Sequence, residues 1–447
     1  MAARNSGLFE DHISLKVENS RFHSDKAPDF LLYLMDLSYF SGKLEMYFRY
    51  RNFNFQRLEP RLSELYDIKK KTGTMQVPQV YDNRKKIWLR DTTYIIKYME
   101  ENYVSKNEKC PIYPSSELKY YISLLLEDFA DEYMWRPAMY MRWEPKVDST
   151  FLSTRFVWEF ADGAGLFAIV PSFLRRSVLL FRQWLFSVFG EGIVNVEQHE
   201  VAKSQYYSVL NSLQEILEDS PYLFGAHPTI VDFGFLGPFF RHFSSDPTPR
   251  KIMQQQAPAV YEWIGRMWNL KDSKVPLSMK LDKEDEEIQN SLRKLFPFVS
   301  EYLKYLHQNA LAWKSNQSSF DFMFKGGKIN AVSSTVQTVP YRVWCRLELQ
   351  RHFQEIEDND EKDSEKIKAF LKEFDCWDML WKDGMIECPP EFGTKPPFCM
   401  TPKPSFVNDT PKWSQEQLIL RYLKAHFNTI IIFSFLFFFI LLLTIWQ

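Results

Sequence analysis

Through the first hundred residues the apolar positions recur first at one spacing and then at another. Phe30 to Met35 is a short apolar run without helical period, which predicts a buried strand. Leu44 to Tyr50 then shows helical spacing, and Asn54 to Arg57 reads as a second short strand. The stretch RLSELYDIKKKTG predicts a helix stopped by Gly73. MQVPQVYDNRKKIWLRD predicts two strands joined at Asp82-Asn83, and DTTYIIKYMEENY a helix opened by Asp91 or Thr92. The predicted order is β-α-β-α-β-β-α.

From Ser115 the strand signals stop. SSELKYYISLLLEDFADEYMWRPAMYMRW predicts a long helix pair interrupted near Pro137. NVEQHEVAKSQYYSVLNSLQEILEDSPYLFG is another helix, and Thr229 with Asp232 three residues on forms a capping box for the next. APAVYEWIGRMW closes this block. Further helices are expected to residue 385, around a turn-rich patch, FKGGKINAVSS. The resulting division is 1–27 arm, 28–105 α/β domain, 112–272 all-helical domain, 273–385 helical extension, 386–426 proline-rich linker and juxtamembrane segment, and 427–446 membrane anchor. That last run, FNTIIIFSFLFFFILLLTIW, has no charge over 20 residues. At ~1.5 Å per residue it matches the ~30 Å hydrocarbon layer. Arg421, Lys424 and His426 precede it, which places the body of the chain in the cytosol.

Composition narrows this picture. A net charge of −2 gives no support for nucleic acid as a partner. Five cysteines, an odd number without a CxxC pair, argue against a disulfide framework and against a zinc site. The N-terminal residues have neither the apolar core of a secretory signal nor the acid-poor composition of a transit peptide. An aromatic content of 17% implies large apolar interiors or ligand-facing walls.

Three polar foci carry candidate chemistry. Ser38 stands at a strand–helix junction beside Tyr39. Gln76-Val77-Pro78 precedes a strand, and a cis Val77–Pro78 bond there would turn the Val77 backbone outward to pair with an extended peptide. Asp91-Thr92 opens a helix, whose free N–H groups favour an anion. Together these suit a small peptide with a carboxylate at one end and a thiol in its middle.

At these positions the chain resembles the glutathione transferases over roughly residues 30 to 270. Ser38-Tyr39-Phe40-Ser41-Gly42-Lys43 resembles the family's S-P-F-S-x-K segment, whose first serine meets the glutathione sulfur. Gln76-Val77-Pro78 resembles its x-V-P element, and Leu89-Arg90-Asp91-Thr92 the L-x-E/D-S/T element that holds the γ-glutamyl end. Thr229 to Phe233 resembles the capping motif of the helical domain. VPYRVWCRLELQRHF is similar to a segment of long bacterial members. Tyr39 stands where the serine-type pattern has Pro and echoes the tyrosine-type members. The resemblance therefore implies Ser38 as the catalytic hydroxyl, with Tyr39 as the alternative.

The resemblance further implies a thioredoxin-like domain before the all-helical one, glutathione as co-substrate, a hydrophobic electrophile as second substrate and a homodimer. Tyr133, Trp135 and Tyr140 are candidate walls for that electrophile. Glu127, Asp128, Asp131 and Glu132 are expected on a solvated face or against a basic partner, Arg136 and Arg142 in surface salt bridges or else against a glutathione carboxylate, and Cys345 in the core. A non-catalytic binding or scaffold protein of the same fold is the second reading. The bilayer is the expected partner of residues 427–446, and the uncharged C-terminal end favours the endoplasmic reticulum over the outer mitochondrial membrane.

Overall fold

The computed structural model describes residues 27–60, 62–105, 110–161, 171–275, 290–326 and 329–387. The expected arm (but for its last residue), nearly all of the proline-rich linker and the whole membrane span lie outside them. Among the described residues no helix is long and apolar enough to cross a membrane.

The first domain runs β1 (Phe30–Tyr33), α1 (Tyr39–Tyr50), β2 (Phe55–Leu58), α2 (Leu62–Thr72), β3 (Gln79–Asp82), β4 (Ile87–Arg90) and α3 (Thr92–Tyr103). Its sheet has the order β2-β1-β3-β4. β1 lies parallel to β2, with Leu32 opposite Arg57, and antiparallel to β3, with Leu32 opposite Val80. The element order is the one the alternating periods predict, and the sheet is the thioredoxin-like arrangement that the resemblance implies. Leu32 and Val80 are wholly buried, as central strands with helices over the sheet require.

The helical domain comprises α4 (Glu117–Glu132), α5 (Trp135–Trp143), α6 (Lys146–Ala161), α7 (Ser172–Gln183), α8 (Val196–Asp219), α9 (Ile230–Pro238), α10 (Pro247–Gln256) and α11 (Pro258–Asn269). The break after α4 falls at Tyr133-Met134, ahead of the expected point. Pro137 sits in the first turn of α5, where its missing N–H costs no helical bond. The capping box at Thr229 and Asp232 is present: Asp232 accepts the Thr229 N–H at 2.9 Å, and also the Leu223 N–H and the Trp263 indole N–H, each at 3.0 Å.

The extension holds α12 (Asn290–Arg293), α13 (Phe296–Lys314), β5 (Ser319–Gly326), β6 (Ile329–Gln337), α14 (Pro340–Asn359), α15 (Glu361–Glu373) and α16 (Cys376–Trp381). β5 and β6 form an antiparallel hairpin where only turns among helices were expected. Phe322, Phe324, Ser334 and Val336 point inward with period two, so a strand pair buries one face there.

Helix α4 joins the three parts. Apolar side chains on nearly every side of it are buried, because α9 packs on one flank and α14 and α15 on another. The contact with α9 is close: a Cβ added at Gly234 would lie 3.1 Å from the Glu127 Cα, so a side chain there would push the two helices apart by a few tenths of an ångström. One apolar core then runs through both domains and the extension.

Candidate functional site

A cavity of about 560 Å³ opens where the sheet's first domain meets the helical domain and the start of α14. Ser38, Tyr39, Gln76, Val77, Pro78, Asp91 and Thr92 all border it.

Ser38 is the N-cap of α1. Its Oγ accepts the Ser41 N–H at 3.2 Å, so one lone pair serves the helix start. Its proton has only a distant acceptor, the Val77 carbonyl at 3.5 Å. A hydroxyl so held can turn and donate to an anion in the cavity, with the positive end of α1 behind it. The Val77–Pro78 bond is cis.

Tyr39 is placed differently. It is buried, and its hydroxyl donates to the Ala130 carbonyl in α4. Its ring lies edge-on to Trp135 and His242. Burial, with Asp131 and Glu132 nearby, raises its pKa well above the usual phenol range. The phenol proton is therefore committed to the domain interface. Of the two sequence candidates, Ser38 is the one whose proton is only weakly held, at 3.5 Å from the Val77 carbonyl.

Asp91 caps α3 from a left-handed backbone, φ +70°. Its Oδ1 accepts the Thr93 N–H at 3.1 Å, and its Oδ2 accepts the Tyr341 hydroxyl at 2.7 Å. Burial raises its pKa; the Tyr341 hydrogen bond and the Lys43 charge oppose that. Tyr341 begins α14, so the extension reaches the site directly. Sequence reasoning missed this wall, which residues 337–342 and Trp344 provide. The only signal was the resemblance carried by VPYRVWCRLELQRHF, which names no contact.

Tyr341→Phe is expected to destabilise the fold by about 1.5–3 kcal/mol at neutral pH, the size of a hydrogen bond to a charged group. Removing the hydroxyl raises the folded-state pKa of Asp91 further, while the unfolded value stays put. The variant then holds its proton more tightly than wild type, so the deficit is full at neutral pH and shrinks as Asp91 protonates in acid. Urea unfolding at several pH values checks this; a deficit independent of pH counts against it.

The acidic run on α4 is not a solvated face. Lys43 of α1 is wholly buried and donates to Glu127 and, at 2.5 Å, to Asp131. Asp128 accepts the Tyr302 hydroxyl at 2.7 Å, and burial pushes its pKa up to about 7. Glu132 and Glu191 together hold Arg342, each at 2.9 Å, and the Tyr305 hydroxyl also meets that guanidinium. Glu127, Asp131 and Glu132 are thus matched by buried cations from α1 and α14, as carboxylates out of water require, while Asp128 has a tyrosine hydroxyl instead. Among the described residues, no group of three or more histidines, cysteines and acids is placed to hold a metal ion.

Arg136 and Arg142 are likewise buried rather than on the surface. Arg136 donates to Gln205 Oε1 at 2.8 Å and lies 4.1 Å over the Phe324 ring, tying α5 to the hairpin. Burial brings its pKa down to about 10. Arg142 donates to both carboxylate oxygens of Asp246, at 2.7 and 2.9 Å, and to the carbonyls of Leu37 at 2.6 Å and Arg241 at 2.8 Å. It thereby fixes the residue just before Ser38.

Of the three aromatic wall candidates, Trp135 borders the cavity, stacked beside Phe40 at 6.2 Å. Met139 and Trp143 continue that apolar wall. Tyr133 is buried and donates to Glu301 at 2.8 Å, while Tyr140 packs on His199. Cys345 is buried, as expected, and burial raises its thiol pKa well above the ordinary range.

Residues 196–266, from α8 into α11, match the family model described as glutathione S-transferase, C-terminal domain. That match lies within the helical domain, which follows a thioredoxin-like sheet in the chain. Solved structures similar to the chain include glutathione transferase URE2P6 from Phanerochaete chrysosporium in complex with oxidized glutathione, with 16% identity and a TM-score of 0.33, covering 54% of this chain and 96% of that one. Poplar glutathione transferase F1 has 15% identity and a TM-score of 0.33, covering 57% and 99%. Ure2p5 from Phanerochaete chrysosporium, cocrystallized with 1-(S-glutathionyl)-2,4-dinitrobenzene, has 13% identity and a TM-score of 0.34, covering 55% and 91%. No curated protein matches the chain.

Proposed function

We propose that the protein conjugates glutathione to a hydrophobic electrophile, or runs a related glutathione-dependent reaction, at a membrane surface. The observation that carries this is the convergence of Ser38, Val77 and Asp91-Thr92, which lie far apart in the chain, on one cavity whose other side is apolar. In this reading Asp91 and Thr92 take the γ-glutamyl end, Gln76 to Pro78 pair with the peptide backbone, and Ser38 donates to the sulfur. A free thiol has a pKa near ~8.5, so it is mostly neutral at pH 7. A hydroxyl donor at a helix N-terminus favours the thiolate, which attacks the electrophile against Trp135 and releases its leaving group. The test is retention on immobilised glutathione, followed by turnover of a general electrophile by wild type and by Ser38→Ala. No retention and no turnover by wild type would overturn the reading.

A binding or scaffold role has one observation in its favour. Tyr341 already sits on Asp91 Oδ2, an oxygen that an incoming ammonium would use. Glutathione retention without turnover is the outcome that selects it.

The apolar run Phe427 to Trp446 and its basic flank support a tether to the endoplasmic reticulum, with the body in the cytosol. A fluorescent fusion carrying only residues 410–447 is expected at that membrane; mitochondrial staining would replace the assignment.

A further inference from the structure

Among the described residues, five of the eleven exposed large apolar side chains sit on the neighbouring helices α6 and α7. They are Val147 (66% exposed), Phe151 (38%), Phe173 (63%), Leu174 (46%) and Val178 (61%). Elsewhere such residues occur singly or in pairs, which is normal for a protein surface. Helix α7, SFLRRSVLLFRQ, has no fully buried residue, although half of it is apolar. Phe173, Leu174 and Val178 lie within two turns of each other on its outer side, while Leu180 packs back toward the core.

The charges on these helices are mostly positive: five lysines and arginines against Asp148 and Glu159. α7 has three arginines and no acid, and α6 adds Lys146 and Arg155. Asp148 is the one acid among their described side chains. It is buried and accepts the Thr248 N–H at 2.8 Å, so it offers nothing to the surface. Phenylalanine, leucine and valine together with arginine and lysine are the composition of a helix that lies in a lipid interface.

We infer that the α6–α7 face docks on an anionic bilayer surface, with Phe173, Leu174 and Val178 entering the headgroup region and the exposed cations Lys146 and Arg182 meeting lipid phosphates. Anionic lipid is favoured over a second copy of the chain because a second copy would bring the same positive charge to the contact. The inference rests on the proposed tether only for how near the bilayer lies. Residues 388–426 separate the described body from the apolar run. Such a tether makes docking an intramolecular event and raises the effective lipid concentration. Docking would also orient the cavity. α7 runs into Trp184–Phe189, and Trp143, Gln183 and Gly190 border the cavity, so its apolar wall opens beside the docked face.

The test is hydrogen–deuterium exchange on the full-length chain mixed with vesicles of phosphatidylcholine, with or without phosphatidylserine. Peptides covering 172–183 are expected to exchange about tenfold more slowly with phosphatidylserine vesicles, as for a helix moved into an interface. Added salt should reverse most of this. The Phe173→Ser/Val178→Ser variant changes only exposed positions and should keep the wild-type melting point but lose the protection. Three results overturn the inference: no slowing at 172–183 with either vesicle, equal slowing in the variant, or slowing without vesicles that grows with protein concentration, which would assign the face to a second copy. Vesicle capture without protection at 172–183 leaves the tether standing and removes the docking face alone.

Discussion

Arg142→Ala is expected to lower the free energy of unfolding by about 3–5 kcal/mol, the cost of stripping one partner from a buried ion pair. Arg142 is 2% exposed and Asp246 1%. The substitution leaves the Asp246 carboxylate without its two guanidinium bonds and the carbonyls of Leu37 and Arg241 without a donor. It also opens a cavity the size of the lost side chain. Arg142→Lys should recover only part of the loss, because an ammonium cannot reproduce the planar fork that spans these acceptors. Urea unfolding followed by tryptophan fluorescence measures both. A loss below about 1 kcal/mol for the alanine variant would mean that water replaces the guanidinium, which the burial does not allow for.

Ser38→Ala is expected to reduce kcat/KM for glutathione conjugation by about 10²–10³, the usual cost of removing one donor aimed at a forming anion. The acid limb of the pH–rate profile should move up toward the ordinary thiol range near ~8.5. Ser38 also caps α1, so part of any loss in the alanine variant is structural, worth ~1 kcal/mol of stability. Ser38→Gly separates the two roles. Glycine is nearly as good an N-cap as serine but has no hydroxyl. Equal kinetic losses in the alanine and glycine variants assign the effect to the hydroxyl. If both keep kcat/KM within about threefold of wild type, Ser38 is a cap and no more.

The first domain was legible because its signals are local. Phe30 to Tyr33 is too short and too apolar for a surface helix, and Asp91 announces α3 by its own side chain. The capping box of α9 is read from two residues three apart, Thr229 and Asp232. The hairpin at 319–337 shows its alternation in Phe320, Phe322 and Phe324, but the glycines and serines around it are turn formers that mask the strand signal. The buried charges were not legible at all. Lys43, Glu127, Asp131, Arg142 and Arg342 are residue types that are mostly exposed, so the sequence favours a surface for each. Only their partners, 84 to 210 residues away for the pairs Lys43–Glu127, Arg142–Asp246 and Arg342–Glu132, make burial tolerable. The cavity is legible on the side built by motif residues and illegible on the side built by Tyr341 and Arg342, which no local pattern directs toward Asp91 and Glu132.

The way α4 is enclosed bears on how the chain comes off the ribosome. The Tyr121 hydroxyl in that helix donates to the Leu349 carbonyl at 3.1 Å, across 228 positions of sequence. At about 5–20 residues per second, translation takes roughly ten seconds or more to deliver that partner. During that interval the nascent chain leaves this apolar helix flank uncovered, and pairing so distant in sequence makes the final docking slow.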